Sequence, residues 1–451
     1  MATPTNDSYS AASAAIVHGG RTGPYTWQSS LINDAFVTIP GGSAFSTWAT
    51  ANIPAGAYQG TSPMTAMLDA YCDPAYDPGT GKQYIFGGGH GDGTCNAVTQ
   101  FDHVSLGYTL IGQATPPSKY PPQYVPATGT FRKTIYPSGA SGEGGVIDSS
   151  TTPLTRSGGH FRDNLIDPAD TAYNTPRARA SSHMYAANAI RNGVIHYFYQ
   201  QYAEFNIASG TWANLGDNPN NFTLYPQLVA IKTGYGSVEL QQGTVAVYDS
   251  VTDRFFVTLI PGDAGGSYRT SMIIFNPNGR LVESVIDLGD ASYWFLTPSV
   301  TMTKVGRKLY VFTKSYLVVA YPNARMNQGF IMDMDTHALT YFSLVGDVAG
   351  SDFTENASQE TIPCYYDGIA IRRWNYSTAQ IGQIYSVNLT PESGVGTPAS
   401  PFILRQTGRT ITGAIPATTT YIYHRLVWNA QAGCAILLPR ANAAPIALKL
   451  S

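Results

Sequence analysis

The chain has 451 residues, a formal net charge of −3 and only 12% charged positions, about half the usual share for a soluble domain. That excludes ordinary charge-rich helical surfaces. Its 43% hydrophobic content, with 30 Tyr, 18 Phe and 6 Trp, excludes disorder, because so much apolar surface drives burial.

The 26 basic and 29 acidic residues form no run of like charge. The basic stripe that a phosphate backbone demands is missing, so sequence readout of nucleic acid is disfavoured. The 45 Gly and 29 Pro are spread along the chain and imply frequent tight turns, while the Tyr/Thr/Val-rich remainder suits strands. The expected class is all-β.

Residues 1–32 read as an N-terminal arm, small and polar, with Tyr25 and Trp27 as its bulky groups. The opening stretch MATPTNDSYSAASAAIVHGG lacks the basic n-region and apolar core of a signal peptide, and no apolar run is long enough to span a membrane. The expectation is synthesis in the cytoplasm without a signal peptide, and no membrane span. Next, NDAFVTIPG (33–41) alternates and ends in Gly like the last strand of a sheet, with no preceding hairpin of its own.

From residue 69 a compound unit recurs, a hairpin followed by a hairpin. Its first halves are DAYCDPAYDPGTGKQYIFGGG (69–89), SSHMYAANAIRNGVIHYFYQ (181–200), GTVAVYDSVTDRFFVTLI (243–260), PSVTMTKVGRKLYVFTKS (298–315), PCYYDGIAIRRWNYS (363–377) and YIYHRLVWNAQAGCAILLP (421–439). Its second halves turn at Asp or Asn and end in Gly: TQFDHVSLGYTLIG (99–112), AEFNIASGTWANLG (203–216), IIFNPNGRLVESVIDLG (273–289), MDMDTHALTYFSLVG (332–346) and, more loosely, YSVNLTPESGVGTPASPFILRQTG (385–408). The last copy stops at PIALKLS (445–451), one strand short.

Such a repeat predicts a single six-bladed β-propeller of four-stranded blades over 33–451, with seven blades as the alternative. The strand 33–41 would pair with PIALKLS, close the ring and remove an exposed edge. Most aromatic residues then fill the interfaces between neighbouring sheets. The longest departure from the repeat is the inserted loop 113–175. A loop of that length in a compact ring is usually functional or touches a partner; the competing reading is a loop packed over its own propeller face. Its Tyr120, Tyr124 and Tyr136, with Phe131, offer stiff amphipathic area for an interface or a glycan.

The segment YIFGGGHGDGTCNAVTQFD (84–102) resembles a kelch blade, and PRARASSHMYAANAIRNGVIHYFYQ (176–200) followed by EFNIASGTW is similar to the kelch pattern of Arg and His before the first strand and Trp in the fourth. The Gly doublet is confined to the first copy and the strand-four Trp to Trp212. This kelch-like, galactose-oxidase-like resemblance implies propeller architecture over roughly residues 58–450. The family holds copper enzymes as well as binding modules. For the copper branch, the resemblance implies imidazole and phenolate ligands with a tyrosine cross-linked to a cysteine. Tyr423 and His424 match one ligand pair, and Cys72 beside Tyr71, or Cys95, matches the cysteine.

Independently, GGGHGDGTCN (87–96) places His90 and Asp92 in a glycine-rich connection, and SGGHFRDN (157–164) places His160 and Asp163 in another. Imidazole with carboxylate suits a divalent metal or a sugar. The competing reading has these side chains bonded to their own loops, with no cofactor. Metal-ligand candidates are His90, Asp92, His160, Tyr423 and His424. Cys72, Cys95, Cys364 and Cys434 contain no CxxC pair and read as reduced core residues. No phosphate loop, HExxH, GxSxG or EF-hand pattern occurs.

Three functions stand. The leading one is a non-enzymatic structural or recognition propeller, a bacteriophage virion component of the tail or nozzle or a host-surface glycan binder. Its partners would be other virion proteins or copies of itself, and its location the virion; the uncharged Gly/Thr/Asn/Tyr-rich composition resembles phage structural proteins. The alternatives are a kelch-type copper oxidase or carbohydrate-active enzyme, and an intracellular kelch-type protein-binding adaptor.

Overall fold

The strands are short because side-chain chemistry turns the chain at their ends. Asp102 Oδ1 accepts hydrogen bonds from the backbone N–H of Val104 (2.9 Å) and Ser105 (3.3 Å). Asn276 Oδ1 accepts from Asn278 and Gly279, Asp333 Oδ1 from Asp335 and Thr336, and Asn429 Oδ1 from Gln431 and Ala432. Asp77, Asn206, Asp249 and Asn388 act alike. An oxygen that captures N–H groups two and three residues on folds the chain back before the strand can continue.

In a computed structural model the chain is described at residues 25–53, 67–68, 74–86, 97–113, 124–125, 130–131, 146–148, 155–157, 188–199, 201–212, 238–239, 244–261, 269–290, 301–312, 328–347, 359–366, 369–374, 384–413 and 425–450. These residues form a β-propeller-like arrangement of five sheets with four or more strands, and two short ribbons. The first sheet is Ala75–Asp77, Lys82–Ile85, Val98–Asp102 and Tyr108–Gly112. The second is Asn188–Arg191, Val194–Tyr199, Gln201–Asn206 and Thr211–Trp212. The third is Ala246–Asp249, Arg254–Pro261, Arg269–Asn276 and Leu281–Asp290, with Val238–Glu239 added on Arg254–Pro261.

The expectation of six separate blades is corrected here. One sheet has eight strands: Thr301–Val305, Lys308–Phe312, Gln328–Asp333 and Leu339–Gly346, then Phe402–Arg409, Ile384–Asn388, Ile369–Trp374 and Gln359–Tyr366 in spatial order. Two copies of the repeat are fused because their outermost strands pair in parallel, Phe342 opposite Phe402 through Gly346 opposite Gln406. Such a pairing depends on where two distant edges meet, which no local pattern encodes.

The closing sheet joins Leu426–Asn429, Cys434–Leu437 and Ile446–Lys449 to Ala35–Thr38 from the other end of the chain. Ala35 lies opposite Lys449 and Thr38 opposite Ile446, antiparallel. The neighbouring edge is tied in as well: Phe36 N–H donates to Thr412 O and Thr412 N–H to Asp34 O, both at 2.9 Å, and Arg409 Nη2 reaches Asp34 Oδ1 at 2.9 Å.

Apolar clusters run around the ring between neighbours. Tyr84, Phe86 and Val98 pack on Ile195, Tyr197 and Phe205. Phe198 and Tyr202 meet Phe255 and Phe275, and Phe256 and Met272 meet Leu309, Phe330 and Met332. Tyr310 and Phe342 face Val387 and Leu404 within the eight-stranded sheet. Ile384 packs with Phe36, Leu426 and Leu448, and Ile436 and Leu438 return to Ile85 and Phe101 of the first sheet. The first strands of the sheets, and of the two halves of the eight-stranded sheet, adjoin in the same order from Ala75–Asp77 to Leu426–Asn429.

A helix, Phe45–Asn52, was not expected from the composition. Phe45 and Ala49, one turn apart, are buried, and Phe45 lies 5.4 Å from the Tyr108 ring, edge to face. Eight residues are too few for a composition to register, and tertiary packing is what stabilises so short a helix.

Two outcomes test this architecture. Phe36→Ala, which empties a pocket in the closing sheet, is expected to cost about 3–5 kcal/mol in denaturant unfolding. Gly346 has φ +100, and a Cβ there would lie 2.3 Å from Gln406 O. Gly346→Ala is expected to cost about 1–3 kcal/mol by breaking the parallel pairing, seen as lost hydrogen-exchange protection at Phe402–Gln406.

Candidate functional site

The antiparallel order gives the sheets two unlike ends. At the turn end, inner hairpins are tight, as where Arg191 pairs with Val194, Val305 with Lys308 and Asn429 with Cys434. At the opposite end lie Ile85, Val98 and Gly112 of the first sheet, and Phe312 with Gly329 of the eight-stranded one. The strand ends flanking segments 87–96, 114–187, 262–268, 291–300, 313–327, 348–358, 375–383 and 414–424 lie at this second end, here the loop end, as does Val238 after segment 213–237; Trp212 before that segment stands opposite Phe205 near the turn end, and residues 389–401 connect Asn388 to Phe402 at the turn end.

Ion pairs tie neighbouring sheets at the turn end. Arg191 of the second sheet grips Asp253 of the third with Nε and Nη2, at 2.5 and 2.6 Å. Tyr248 and Asn278 also donate to Asp253, at 2.8 and 3.0 Å. In the reverse direction, Arg280 of the third sheet donates two bonds of 3.0 Å to Glu204 of the second. Such forked contacts fix geometry as well as charge. Asp249, whose side chain is 0% exposed, accepts from Lys304 and Arg307 of the next sheet, each at 2.7 Å.

Burial opposes the charged form of Asp249, but hydrogen bonds from Arg307, Lys304 and Thr252 outweigh it and hold the carboxyl well below the usual range. The Arg191 hydrogen bond does the same for Asp253. Each of these carboxylates is committed to cations, which suits cohesion and leaves none of them placed as a general base.

A second polar network spans the seam between the closing and first sheets. His103 is buried; its Nε2 lies 3.0 Å from Gln83 Oε1 and its Nδ1 3.1 Å from Asn429 Nδ2. Asn429 Oδ1 already accepts two backbone N–H groups, which orients the amide. Gln83 Nε2 donates to Arg425 O at 3.3 Å, which orients that amide too. The imidazole therefore carries its proton on Nε2 and accepts at Nδ1. Over the seam lies a one-turn helix, Thr26–Ser30. Trp27 Nε1 donates to His103 O and Gln28 Nε2 to Ala432 O, both at 2.8 Å, and Tyr25 OH donates to Gln431 Oε1 at 3.2 Å.

A second buried imidazole, His196, donates from Nδ1 to Tyr202 OH at 2.6 Å, because that hydroxyl in turn donates to Glu204 Oε1 at 2.6 Å. Burial lowers His103 to about 3 and His196 to about 4, so both are neutral at pH 7. Sequence reading passed over both; the sole signal was the position of His103 directly after the turn Asp102.

The sequence-derived candidates fall elsewhere. His90, Asp92, Tyr120, Tyr136, His160, Asp163, Tyr423 and His424 lie outside the described residues, in the connections flanked by loop-end strand termini. Tyr124 stands in the two-residue strand Tyr124–Val125, paired with Thr130–Phe131. Cys72 and Cys95 are also outside the described residues, and Cys364 is in the strand Gln359–Tyr366. Cys434 is buried, and burial pushes its thiol up to about 12, the mark of an inert core cysteine. Among the described residues no group of three or more His, Cys, Asp or Glu is placed to hold a metal, and no helix is long and apolar enough to cross a membrane.

Two measurements probe these networks. A depressed histidine pKa means the unfolded chain binds the extra proton first, so stability is full above about pH 6.5 and falls as pH drops towards the folded values. Between pH 7 and pH 5 each imidazole is expected to remove about 2 kcal/mol, read as a lower denaturant midpoint; His103→Leu should show a smaller pH-dependent drop. Separately, Asp249→Ala leaves two cations facing an emptied site and is expected to cost about 3–5 kcal/mol, whereas Arg405→Ala, which removes an exposed pair with Glu392, should leave the midpoint nearly unchanged.

No known protein-family model matches the chain, and no curated protein is similar to it at a significant level.

Proposed function

We propose that the protein is a non-catalytic structural and recognition propeller of a bacteriophage particle, part of its tail or nozzle, and that its loop end meets the partner. The partner is another particle protein, a copy of the same chain, or a cell-surface glycan. The observation supporting this reading is the contrast between the two ends. The turn end is hydrogen-bonded and ion-paired, while the loop end carries most of the long connections between strands, with residues 389–401 as a described exception at the turn end. Rigid scaffolds that present long connections on one side are suited to recognition.

The kelch-like first two copies of the repeat and the low charge belong with this reading. Tyr120, Tyr124 and Tyr136 are its contact residues, with His90, Asp92, His160 and Asp163 as sugar-binding partners and no cofactor required. Several weak contacts in a symmetric assembly would add through avidity.

The decisive experiment is fractionation of an infected-cell lysate on a density gradient, followed with an antibody to the chain. Co-sedimentation with particles is expected, and recovery solely as a soluble monomer would overturn the proposal. With purified particles, Tyr120→Ala, Tyr124→Ala and Tyr136→Ala are each expected to weaken adsorption or assembly by up to about tenfold.

A further inference from the structure

The N-terminal segment from Tyr25 to Thr38 behaves as a strap that bridges the far end of the chain and the first sheet, where Trp27 donates to His103 O. Tyr25 bonds Gln431 across 406 positions of sequence, Gln28 bonds Ala432 across 404, and Asp34 pairs with Arg409 across 375. Its strand Ala35–Thr38 covers the edge of Ile446–Lys449 along its full length. Trp27 and Phe36 are buried in the adjoining apolar clusters. The receiving surface is therefore a groove with three kinds of complementarity: a strand edge, apolar pockets, and the polar seam around Asn429 and His103.

Nothing in these contacts requires that strap and groove share a chain. No covalent bond joins the strap to Ile446–Lys449, and every bond between them is backbone pairing or side-chain contact. The strap enters the ring after the last strand has been made, so closure is a late, bimolecular-like event in which a second chain's strap competes with the resident one.

We infer that the groove formed by Ile446–Lys449, Ala432 and Gln431 accepts the Tyr25–Thr38 strap of a second copy of this chain, together with the following Ile39 to Ser46, whose terminal N–H groups bond Pro445 O and Ala441 O of the same surface, linking copies by strand exchange. The occupant is fixed by continuity with the interface already present: an identical strap meets an identical edge, pocket and seam. Each copy then receives a strap from one neighbour and gives its own, which closes as a reciprocal dimer or extends head to tail. The inference does not depend on the particle reading, because a chain absent from particles would exchange by the same contacts.

The test uses full-length chains. Val37 lies directly opposite Ala447, within the range that a disulfide spans in an antiparallel pair. A Val37→Cys chain and an Ala447→Cys chain are unfolded together, refolded by dilution over a range of concentrations, and gently oxidised. The expected result is a cross-linked product of twice the 48.4 kDa chain mass, formed from the mixture and not from either variant alone, and rising with concentration during refolding. Monomer alone from the mixture, while a chain carrying both substitutions cross-links internally, would overturn the inference. The unsubstituted chain, refolded at the same concentrations and sized by light scattering, decides independently of the cysteines. A dimer that persists after dilution supports exchange, and monomer at every concentration refutes it.

Discussion

The ring has no covalent joint between its last sheet and its first, and the noncovalent closure by Ala35–Thr38 on Ile446–Lys449 governs the rest. Each apolar cluster joins only neighbouring groups of strands, so without closure the molecule would be an open row with an exposed end on either side. Closure removes both ends together. The polar network at the seam reinforces it, because His103, Gln83, Asn429 and Tyr25 have matched donors and acceptors, and losing one strands a buried partner at about 1–3 kcal/mol.

Neighbouring sheets are held by different means on the two sides of the ring. From the second sheet to the first half of the eight-stranded one, guanidinium and ammonium groups bridge to carboxylates at the turn end: Arg191 to Asp253, Arg280 to Glu204, Lys304 and Arg307 to Asp249. From that half to the closing sheet, backbone pairing takes over. Leu339–Gly346 pairs with Phe402–Arg409, and Thr412 continues to Asp34 and Phe36. Both devices tie neighbouring sheets together while aromatic and aliphatic side chains fill the spaces between them.

The loop end is built on different terms. Most strands that begin or end there do so at long connections, the tight pair Tyr199 and Gln201 excepted, and the His, Asp and Tyr candidates for binding belong in sequence to those connections.

Strand positions were legible in the sequence because they rest on local rules: period-two alternation, and Asp or Asn at turns such as Asp102, Asn276, Asp333 and Asn429, where the side chain bonds its own backbone. The unpaired strand at 33–41 was legible for the same reason, as an element lacking its hairpin. Composition missed the helix at Phe45–Asn52, whose buried Phe45 and Ala49 join an apolar cluster with Leu106, Tyr108 and Ala441. The pairing of Phe342–Gly346 with Phe402–Gln406, the passage of the strap over the seam, and the neutral His103 and His196 were decided by tertiary structure alone. Each arises from surfaces tens or hundreds of residues apart meeting in space, and one-dimensional spacing carries no information about which distant edges, amides and imidazoles will meet.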